Sequence, residues 1–523
     1  MNKIYHFYYL LLVFGIGCLV RLMPIILNFP YPVGYDTVNY YLPYLYHFEN
    51  NWFILLASFP VYIAIVYIFS YIFSTDIYYS FLGSNVILYG FFSISIFLLS
   101  KIILNQSLNR SLIYTVFVIF QLGTLRISWD LFRNLFSLIL FNLFLLLVYY
   151  FKQKNTLGNM VSLFSFFSIS IITIFSDRLI GILLIILSFI CSVIYKQKYL
   201  FIINLFISLS FLYYFLTFDR VTFVSTNLNF LDMLLNPLYG KNAFSQFDIS
   251  VLFLSIYGIL IPFFVRGFVF TEFKGRLLLI KISLIITLFF SFTWLFIPNY
   301  GFLVPERWLL LSGIYISLFA IYGFFLLIDS YFKQEKLRKG IALVFLFIFV
   351  VYGFLFIVMP SGVVFSFPSF FQKNTGFIFP FSMNFNSLKI TDNTDLLKSI
   401  DWINSNTSNN SVIIGSKHWR GWFSLFLQPS HQYFFEDFVD IDDTLLNQNQ
   451  VRNFTSLLEK KFSYLCKDSH NNYNDNYKNN ILLYFIDLNN GFNTTKYVYP
   501  YPPTVYTTKS FIIYNLTSQI CKD

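Results

Sequence analysis

Residues 126–154 read RISWDLFRNLFSLILFNLFLLLVYYFKQK, and this stretch shows in one place a pattern that governs most of the chain. Arg126, Asp130 and Arg133 precede an apolar run, and Lys152 and Lys154 follow it. An apolar segment of about 20 residues is long enough to cross the hydrocarbon core of a bilayer as a helix. The stretch therefore predicts a membrane helix with an acid–arginine cluster at one end and a purely basic cluster at the other.

The same alternation continues from residue 5 to residue 359. Predominantly basic clusters lie at residues 101–110, 152–154, 196–198, 266–281 and 333–339. The clusters that contain acids, mostly with arginine, are Asp36, Arg126/Asp130/Arg133, Asp177/Arg178, Asp219/Arg220 and Glu306/Arg307. Basic loops remain in the cytoplasm during membrane insertion. We therefore expect all the acid-containing clusters at the outer face.

The composition agrees with a multi-spanning membrane protein. Hydrophobic residues make up 57% of the chain and charged residues 11%, with a mean hydropathy of +0.65. Residues 361–523 contain as many basic as acidic residues, so the net charge of +10 arises from the preceding membrane part. Since no basic patch is interleaved with aromatic residues, the charge indicates topology rather than nucleic-acid binding.

The hydropathy pattern predicts about eleven spans. They lie near residues 5–27, 80–104, 111–127, 131–150, 159–175, 179–195, 199–216, 250–266, 277–297, 308–328 and 340–359. The apolar segment 52–74 contains Pro60, which breaks a helical hydrogen-bond ladder. We expect two half-helices there, re-entrant or interfacial, because a full crossing would place the basic clusters outside. The N-terminus is then cytoplasmic and the C-terminus extracytoplasmic.

Three regions are thus predicted: a polytopic α-helical membrane domain at 1–360 with a first outer loop at 28–79, a membrane-surface linker at 361–390, and an extracytoplasmic α/β domain at 391–523. Within the last region we expect a helix at 396–403 and strands at 411–415, 481–488 and 509–516. Glycosylation sequons begin at Asn406, Asn409, Asn453, Asn493 and Asn515, although an Asn-rich chain also produces them by chance. Cys466 and Cys521 are the two cysteines of this region, and one disulfide is possible outside the cell.

The motifs of common hydrolases and nucleotide-binding proteins are missing from the sequence. It contains no HExxH, no Walker loop and no GxSxG, and the spacing of its five His residues suggests no metal cluster. Residues 28–44, NFPYPVGYDTVNYYLPY, contain a single carboxylate, Asp36, just beyond the first span. Pro30, Pro32 and Gly34 predict a tight irregular path for the backbone before it.

These features resemble the C-type membrane glycosyltransferases, which include protein O-mannosyltransferases, oligosaccharyltransferase catalytic subunits and lipid A aminoarabinose transferases. The resemblance lies in an acid soon after the first span (GYD, residues 34–36), a second acid in a later outer loop (WD, residues 129–130) and a C-terminal domain outside. Segments 128–134 (SWDLFRN) and 305–308 (PERW) are also similar to archaeal-type relatives of unassigned activity. The resemblance implies that Asp36 is a general base or acceptor-binding group, and that outer arginines bind the phosphate of a polyprenyl-phosphate sugar.

The chain also departs from the family patterns. No second acid directly follows Asp36, no Asp-x-Asp pair surrounds Asp130, and residues 417–422 read KHWRGW where some members carry WWDYG. These departures argue against transfer of an oligosaccharide to asparagine. They leave open whether a divalent cation takes part.

Each candidate residue also has a purely structural interpretation. Asp36 could cap the helix that follows, Arg126/Asp130/Arg133 could form an ion-paired rim, and Asp177/Arg178 could anchor a helix at the interface. Glu306 could complement the dipole of the helix after Pro305, whereas Arg307 is a candidate phosphate ligand. Arg21 lies inside the first span, where a charge is costly, and it could extend outward toward Asp36. His418 and Arg420 follow a strand, and structural packing is the favoured interpretation there.

The sequence thus favours a glycosyltransferase with catalytic Asp36 and with Arg126, Asp130, Arg133, Glu306 and Arg307 as substrate- or phosphate-binding residues. Its partners would be a lipid-linked sugar donor, membrane lipids and an acceptor protein, lipid or surface polymer at the cell membrane. The alternatives are a transporter or flippase of a lipid-linked glycan and a structural anchor for the C-terminal domain. A transporter should carry ionisable residues at mid-membrane, and apart from Arg21 the predicted spans contain few.

The predicted topology can be tested by cysteine accessibility in a cysteine-free background. Lys336→Cys should react with a membrane-impermeant maleimide only after the cytoplasmic side is exposed, because basic loops stay inside. Asn453→Cys should react in intact cells. Labelling of position 336 from outside, or of position 453 only from inside, would contradict the topology.

Overall fold

The structure, a computed structural model, describes residues 2–46, 60–218, 245–271, 275–297, 300–359, 382–388, 390–408, 411–436, 482–488 and 503–516. Its helices are α1 Asn2–Asn28, α2 Leu42–Tyr46, α3 Pro60–Phe73, α4 Ile77–Leu98, α5 Leu108–Phe120, α6 Leu122–Asp130, α7 Phe132–Gln153, α8 Met160–Ile174, α9 Arg178–Ile194, α10 Lys198–Phe218, α11 Gln246–Tyr257, α12 Ile261–Val269, α13 Leu278–Ser291, α14 Pro305–Tyr331, α15 Glu335–Val358, α16 Asn393–Asn406 and α17 Arg420–Phe426. Its strands are β1 Val412–Ser416, β2 Gln432–Glu436, β3 Leu483–Leu488, β4 Thr504–Thr507 and β5 Phe511–Asn515.

The chain divides into two compact units. Unit 1 consists of Met1–Phe29 with His47–Asn384, and unit 2 consists of Pro30–Tyr46 with Phe385–Asp523. Unit 2 therefore combines a short stretch of the first predicted outer loop with the C-terminal region. This grouping was not predicted from the sequence.

Unit 1 is built from apolar helices typical of a multi-pass membrane protein. Six helical segments are long and apolar enough to span a bilayer: Tyr5–Asn28, Ile77–Ile103, Phe132–Gln153, Gln246–Val269, Pro305–Tyr331 and Glu335–Val358. The bent pair α5–α6 would be a seventh. Shorter apolar helices are α3, α8, α9, α13 and the part Lys198–Tyr213 of α10. The described residues thus show the multi-pass helical class, whereas the predicted number of eleven spans is not confirmed.

The predicted span 111–127 is not one straight helix. Helix α5 ends at Phe120, the chain bends by 60°, and α6 begins at Leu122. Gln121 lies at the bend in an extended conformation, and its side chain accepts a hydrogen bond from the backbone N–H of Thr124 at 3.1 Å. This side chain caps the new helix, and every residue of α6 is buried.

The segment 52–74 is described only in its second half, because residues 52–59 lie outside the described ranges. Helix α3 begins at Pro60, a position that suits proline since the first N–H of a helix needs no partner within it. Its 14 residues extend about 21 Å, less than the roughly 30 Å of a hydrocarbon core. Tyr62 packs the helix into unit 1 by stacking on Phe132 with 6.2 Å between ring centroids. The re-entrant arrangement stays a prediction.

The charges of unit 1 are sorted to opposite ends of its helices. Helix α7 has Arg133 in its first turn and Lys152 in its last, about 28 Å apart along the axis. Helix α14 begins with Glu306 and Arg307, and Asp329 lies near its other end. Each of these two helices thus begins at an acid–arginine cluster and ends at the opposite end of unit 1.

Two predominantly basic clusters meet at that other end. Arg110, in the first turn of α5, and Arg338, in α15, both bind Asp329 of α14, with N–O distances of 2.8 Å and 3.2 Å. The hydroxyl of Tyr9 in α1 donates to Asn109 there as well. These two loops, which the sequence assigns to the cytoplasm, therefore lie at the same end of unit 1 as the beginning of α1.

Unit 2 contains a five-stranded mixed sheet in the order β2-β1-β3-β5-β4. Strand β1 runs parallel to β2 and β3, and β5 runs antiparallel to β3 and β4. All five residues of β1 are buried, as is typical of a central parallel strand. The predicted helix and the three predicted strands correspond to α16, β1, β3 and β5, whereas β2, β4 and α17 were not predicted. Cys466, Cys521 and the sequons at Asn409, Asn453 and Asn493 lie outside the described residues.

Two glycines hold α12 and α14 in backbone contact within unit 1. A Cβ on Gly323 would collide with the carbonyl oxygen of Phe263, and one on Gly267 with the carbonyl oxygen of Phe319. Small residues at helix crossings allow this close approach in membrane proteins. The crossing fixes the position of α14, whose first turn contains two predicted site residues.

We expect Gly323→Ala to destabilise unit 1 by roughly 1–3 kcal/mol, because the added methyl group must push backbone against backbone. Thermal unfolding in detergent measures this. Gly340→Ala is the matched control, since a Cβ there has no atom within 4 Å and alanine favours a helix. Equal melting temperatures for the two variants would contradict the close packing.

Candidate functional site

Helix α6 places an ion pair in the interior of unit 1. Arg126 and Asp130 lie one turn apart on the helix and form a salt bridge, with side chains 7% and 1% exposed. The guanidinium of Arg126 also lies 4.8 Å from the ring centroid of Trp129. The indole N–H of Trp129 donates to the carbonyl oxygen of Met383 at 3.1 Å. The predicted pair is therefore real, and the bend before α6 is what directs it inward.

Arg21 joins this pair from the first helix. Its side chain is buried, its guanidinium carbon lies 5.3 Å from the ring centroid of Phe132, and Asp130 is close enough to act on it electrostatically. Its Nε and Nη1 atoms have no hydrogen-bond partner within the described part of the chain. Buried polar groups are nearly always hydrogen-bonded. Two unpartnered donors on a buried cation are therefore consistent with a site for an anion.

A second group of charges meets around Asp177, the residue that caps α9. One of its carboxylate oxygens accepts a hydrogen bond from the backbone N–H of Ile180 at 3.0 Å, and the residue is 6% exposed. The charges of Arg133, Arg307 and Arg178 act on it from three different helices. Burial raises the pKa of Asp177, although the hydrogen bond and the three arginines oppose this shift. Three arginines thus act on one carboxylate through their charges, although Asp177 itself forms no ion pair within 4 Å among the described residues.

The two groups are neighbours because Asp130 and Arg133 are three residues apart, at most about 11 Å along the chain. We call the whole set the arginine cluster. It consists of Arg21, Arg126, Arg133, Arg178 and Arg307 with Asp130 and Asp177. Five arginines and two aspartates thus make up the cluster, with Glu306 directly before Arg307, and guanidinium groups suit the binding of a phosphate or another anion.

Glu306 lies in the first turn of α14, directly before Arg307. Negative charge is favourable at the N-terminus of a helix because of the helix dipole. The residue before the helix, Val304, has a left-handed backbone with φ of 53°, and Pro305 follows it. The local geometry therefore favours the structural interpretation for Glu306, while Arg307 belongs to the arginine cluster.

Asp36 lies in unit 2, two residues after Gly34, whose backbone conformation requires glycine. Gly34 has a φ of +106°, and its N–H donates to the carbonyl oxygen of Phe385 at 3.0 Å. Asp36 is half-buried at the start of the π-helical turn Thr37–Tyr41, but its side chain does not cap that turn. The capping interpretation considered from the sequence is therefore not supported. Val38 and Asn39, which follow it, are buried in unit 2.

The stretch KHWRGW packs against this loop within unit 2. The N–H of Gly421 donates to the side-chain oxygen of Asn39 at 3.0 Å, and a Cβ on Gly421 would collide with the carbonyl oxygen of Val38. The hydroxyl of Tyr35 lies 3.4 Å from Nδ1 of His418, and their rings meet edge to face. The structure thus brings His418 to the loop of Asp36, which the sequence could not show because about 380 residues separate them.

The structure joins most of the predicted site residues, but not all. Arg126 pairs with Asp130, and Arg133 and Arg307 converge on Asp177. Asp36 belongs to the other unit, so the meeting of Asp36 with Arg126 and Arg307 in one cavity stays a prediction. Asp219 and Arg220 lie outside the described residues. Arg21 was missed as a site residue, although a charge inside an apolar span was the signal for it.

Possible metal ligands do not cluster in the described ranges: no three His, Cys, Asp or Glu side chains come together there as ligands for an ion. Comparison with known proteins adds no assignment. No protein-family model matches the chain, and no curated protein matches it in sequence. The interpretation of the site therefore depends on its own geometry and chemistry.

The raised pKa of Asp177 gives a pH-dependent prediction. A carboxyl group whose pKa is raised in the folded state stabilises the protein at pH values below 3.8, its ordinary pKa. This contribution to stability is lost as the pH rises through the pKa of the folded state. Asp177→Asn removes the charge and keeps an oxygen that can cap α9. We expect its melting temperature, relative to the natural protein, to rise between pH 4 and pH 7.

Asp177→Ala is the control, because it removes both the charge and the cap. It should be less stable than Asp177→Asn by about 1 kcal/mol at every pH. Thermal unfolding in detergent measures all three proteins. A melting-temperature difference between Asp177→Asn and the natural protein that is constant from pH 4 to pH 7 would contradict the raised pKa.

Proposed function

We propose that this protein is a membrane glycosyltransferase of the C type. It would transfer a sugar from a polyprenyl-phosphate donor to an acceptor hydroxyl at the extracytoplasmic face. The single observation that carries the proposal is the arginine cluster, in which the charges of five arginines act on two buried carboxylates of a helical membrane unit. A lipid-anchored phosphate is an anion that reaches such a position from within the bilayer.

The proposed reaction requires a base and a stabilised leaving group. Asp36 would take the proton of the acceptor hydroxyl, whose oxygen would attack the anomeric carbon of the sugar. The bond between that carbon and the phosphate oxygen would break, and the phosphate would leave with the electron pair. Arg133 and Arg307, both half-buried, would stabilise the departing phosphate, for which planar guanidinium groups are well suited.

The carboxylates of the cluster would act as positioning groups. Asp130 binds Arg126 directly, and Asp177 lies among Arg133, Arg178 and Arg307. An arginine that is already paired, as Arg126 is with Asp130, would lose less conformational freedom when the donor phosphate binds. Preorganised cations stabilise charge that develops in a transition state more than mobile ones do.

A flippase for a lipid-linked glycan is the alternative proposal, and one observation favours it. Arg21 is buried inside the membrane span Tyr5–Asn28, where ionisable residues commonly mark a transport pathway. The two functions differ in their products. A transferase releases polyprenyl phosphate and glycosylated acceptor, whereas a flippase moves the donor across the bilayer with its sugar still attached.

The decisive variant is Asp36→Asn. We expect it to lower sugar transfer by on the order of a hundredfold or more, because the amide cannot accept the proton. The assay follows radiolabelled sugar leaving a polyprenyl-phosphate donor in membranes, with expression and melting temperature measured in parallel. Unchanged folding with lost transfer would identify a chemical role.

Asp76→Asn is the matched control, since Asp76 lies in the same predicted outer loop. Its carboxylate accepts a hydrogen bond from the backbone N–H of Tyr78 at 2.8 Å and caps α4, a role that asparagine can also fill. This variant should transfer sugar normally. Near-normal turnover by Asp36→Asn would reject Asp36 as the base, and transbilayer movement of an intact donor would support the flippase.

A further inference from the structure

A second group of cations lines a cavity at the basic end of unit 1. The cavity has a volume of about 230 Å³, and its walls come from the ends of α7 and α9, the π-helical turn after α4 and the beginning of α13. One water molecule occupies about 30 Å³ of liquid, so the cavity has room for a group larger than a simple ion. Its cations are Lys152 and Arg276, from two of the loops that the sequence assigns to the cytoplasm.

Aromatic rings position both cations. The ammonium of Lys152 lies 4.6 Å from the ring centroid of Tyr195, and the guanidinium carbon of Arg276 lies 5.5 Å from that of Tyr149. The amide of Gln153 donates to the hydroxyl of Tyr149. A ring face attracts a cation without neutralising it. The two positive charges are therefore held in place and still able to bind an anion.

No described carboxylate lies within 4 Å of either cation, in contrast to the neighbouring loops. At the same end of unit 1, Asp329 forms ion pairs with both Arg110 and Arg338, at 2.8 Å and 3.2 Å. Lys152 and Arg276 form no such pair within the described ranges. Within the described part of the chain, the cavity is thus lined by two cations without a paired carboxylate, whereas Arg110 and Arg338 share Asp329.

The other walls of the cavity are apolar. Ile103, Leu145 and Leu279 line it and are buried, at 2%, 0% and 4% exposure. A site for a free ion would need polar groups on all sides to replace water, whereas a lipid brings an anionic headgroup followed by apolar chains. Basic pockets between membrane helices on the cytoplasmic side commonly bind lipid headgroups.

We propose that this cavity binds the phosphate of an anionic phospholipid in the cytoplasmic leaflet. The phosphate would lie between Lys152 and Arg276, with Gln153 as an additional hydrogen-bond donor at the rim. The glycerol and the beginning of the acyl chains would contact Tyr149 and Leu279, which retain exposed surface. This site is at the opposite end of α7 from the arginine cluster, and its existence does not depend on the sugar-transfer reaction.

The test uses the delipidated full-length protein in detergent, to which dioleoyl-phosphatidylglycerol, dioleoyl-phosphatidylcholine or inorganic phosphate is added. Native mass spectrometry counts the bound lipid, and thermal unfolding measures stabilisation. Phosphatidylglycerol should bind and raise the melting temperature, and phosphatidylcholine should do so much less. If inorganic phosphate alone stabilised the protein equally, the site would belong to a soluble anion and the lipid proposal would be overturned.

The double variant Lys152→Gln/Arg276→Gln should weaken phosphatidylglycerol binding roughly 30-fold, since each basic residue contributes about a fivefold factor toward an anionic lipid. Lys154→Gln/Lys198→Gln is the matched control. It removes the same charge from exposed residues at the same end that do not line the cavity. Equal loss in both double variants would indicate a diffuse surface charge effect and overturn the site.

A single variant keeps the proposal testable if the double variant misfolds. Arg276→Gln changes an exposed side chain outside a helix, so it should fold normally and lose about fivefold in binding. Lys152→Arg/Arg276→Lys preserves both charges and should retain most of the affinity. Full binding by Arg276→Gln, or complete loss in the charge-preserving variant, would contradict the proposed contacts.

Discussion

The high cost of placing a charge in hydrocarbon is the constraint on which the rest of this structure depends. It confines most ionisable residues of unit 1 to the ends of helices, so that α7 joins Arg133 at one end to Lys152 at the other. The two ends acquire different chemistry as a result. One gathers arginines around Asp130 and Asp177, and the other gathers basic loops around Asp329 and a cationic cavity.

The exceptions to this constraint are the informative residues. Arg21, Arg126 and Asp130 are buried, and such charges are tolerated when they are paired or face polar groups. The capped bend at Gln121 makes this possible, because it turns α6 away from the line of α5 and directs the Arg126–Asp130 pair into the interior. A straight helix over residues 111–127 would have placed these side chains elsewhere.

Unit 2 shows how a short loop becomes part of a folded domain. Val38 is completely buried in the same hydrophobic core as Trp422 and Ile413, and Gly421 allows α17 to approach the loop backbone. The turn at Gly34 then fixes the backbone position of Asp36 in the loop. His418 lies beside Tyr35. The arginine cluster thus depends on the backbone bend at Gln121, and the loop of Asp36 depends on the backbone at Gly34 and Gly421.

The sequence by itself determined the membrane class, the distribution of charges along the helices and most of the apolar segments. These are local properties, because helix length and the cost of a charge depend on neighbouring residues in the chain. It also predicted α16, β1, β3 and β5 of unit 2 from their apolar patterns. Only the tertiary structure decided that Arg133 and Arg307 converge on Asp177, that Arg21 faces Asp130, and that residues 30–46 fold with the C-terminal sheet. Such contacts join residues 40 to about 380 positions apart, and their selection depends on how whole helices and strands pack, which no local pattern encodes.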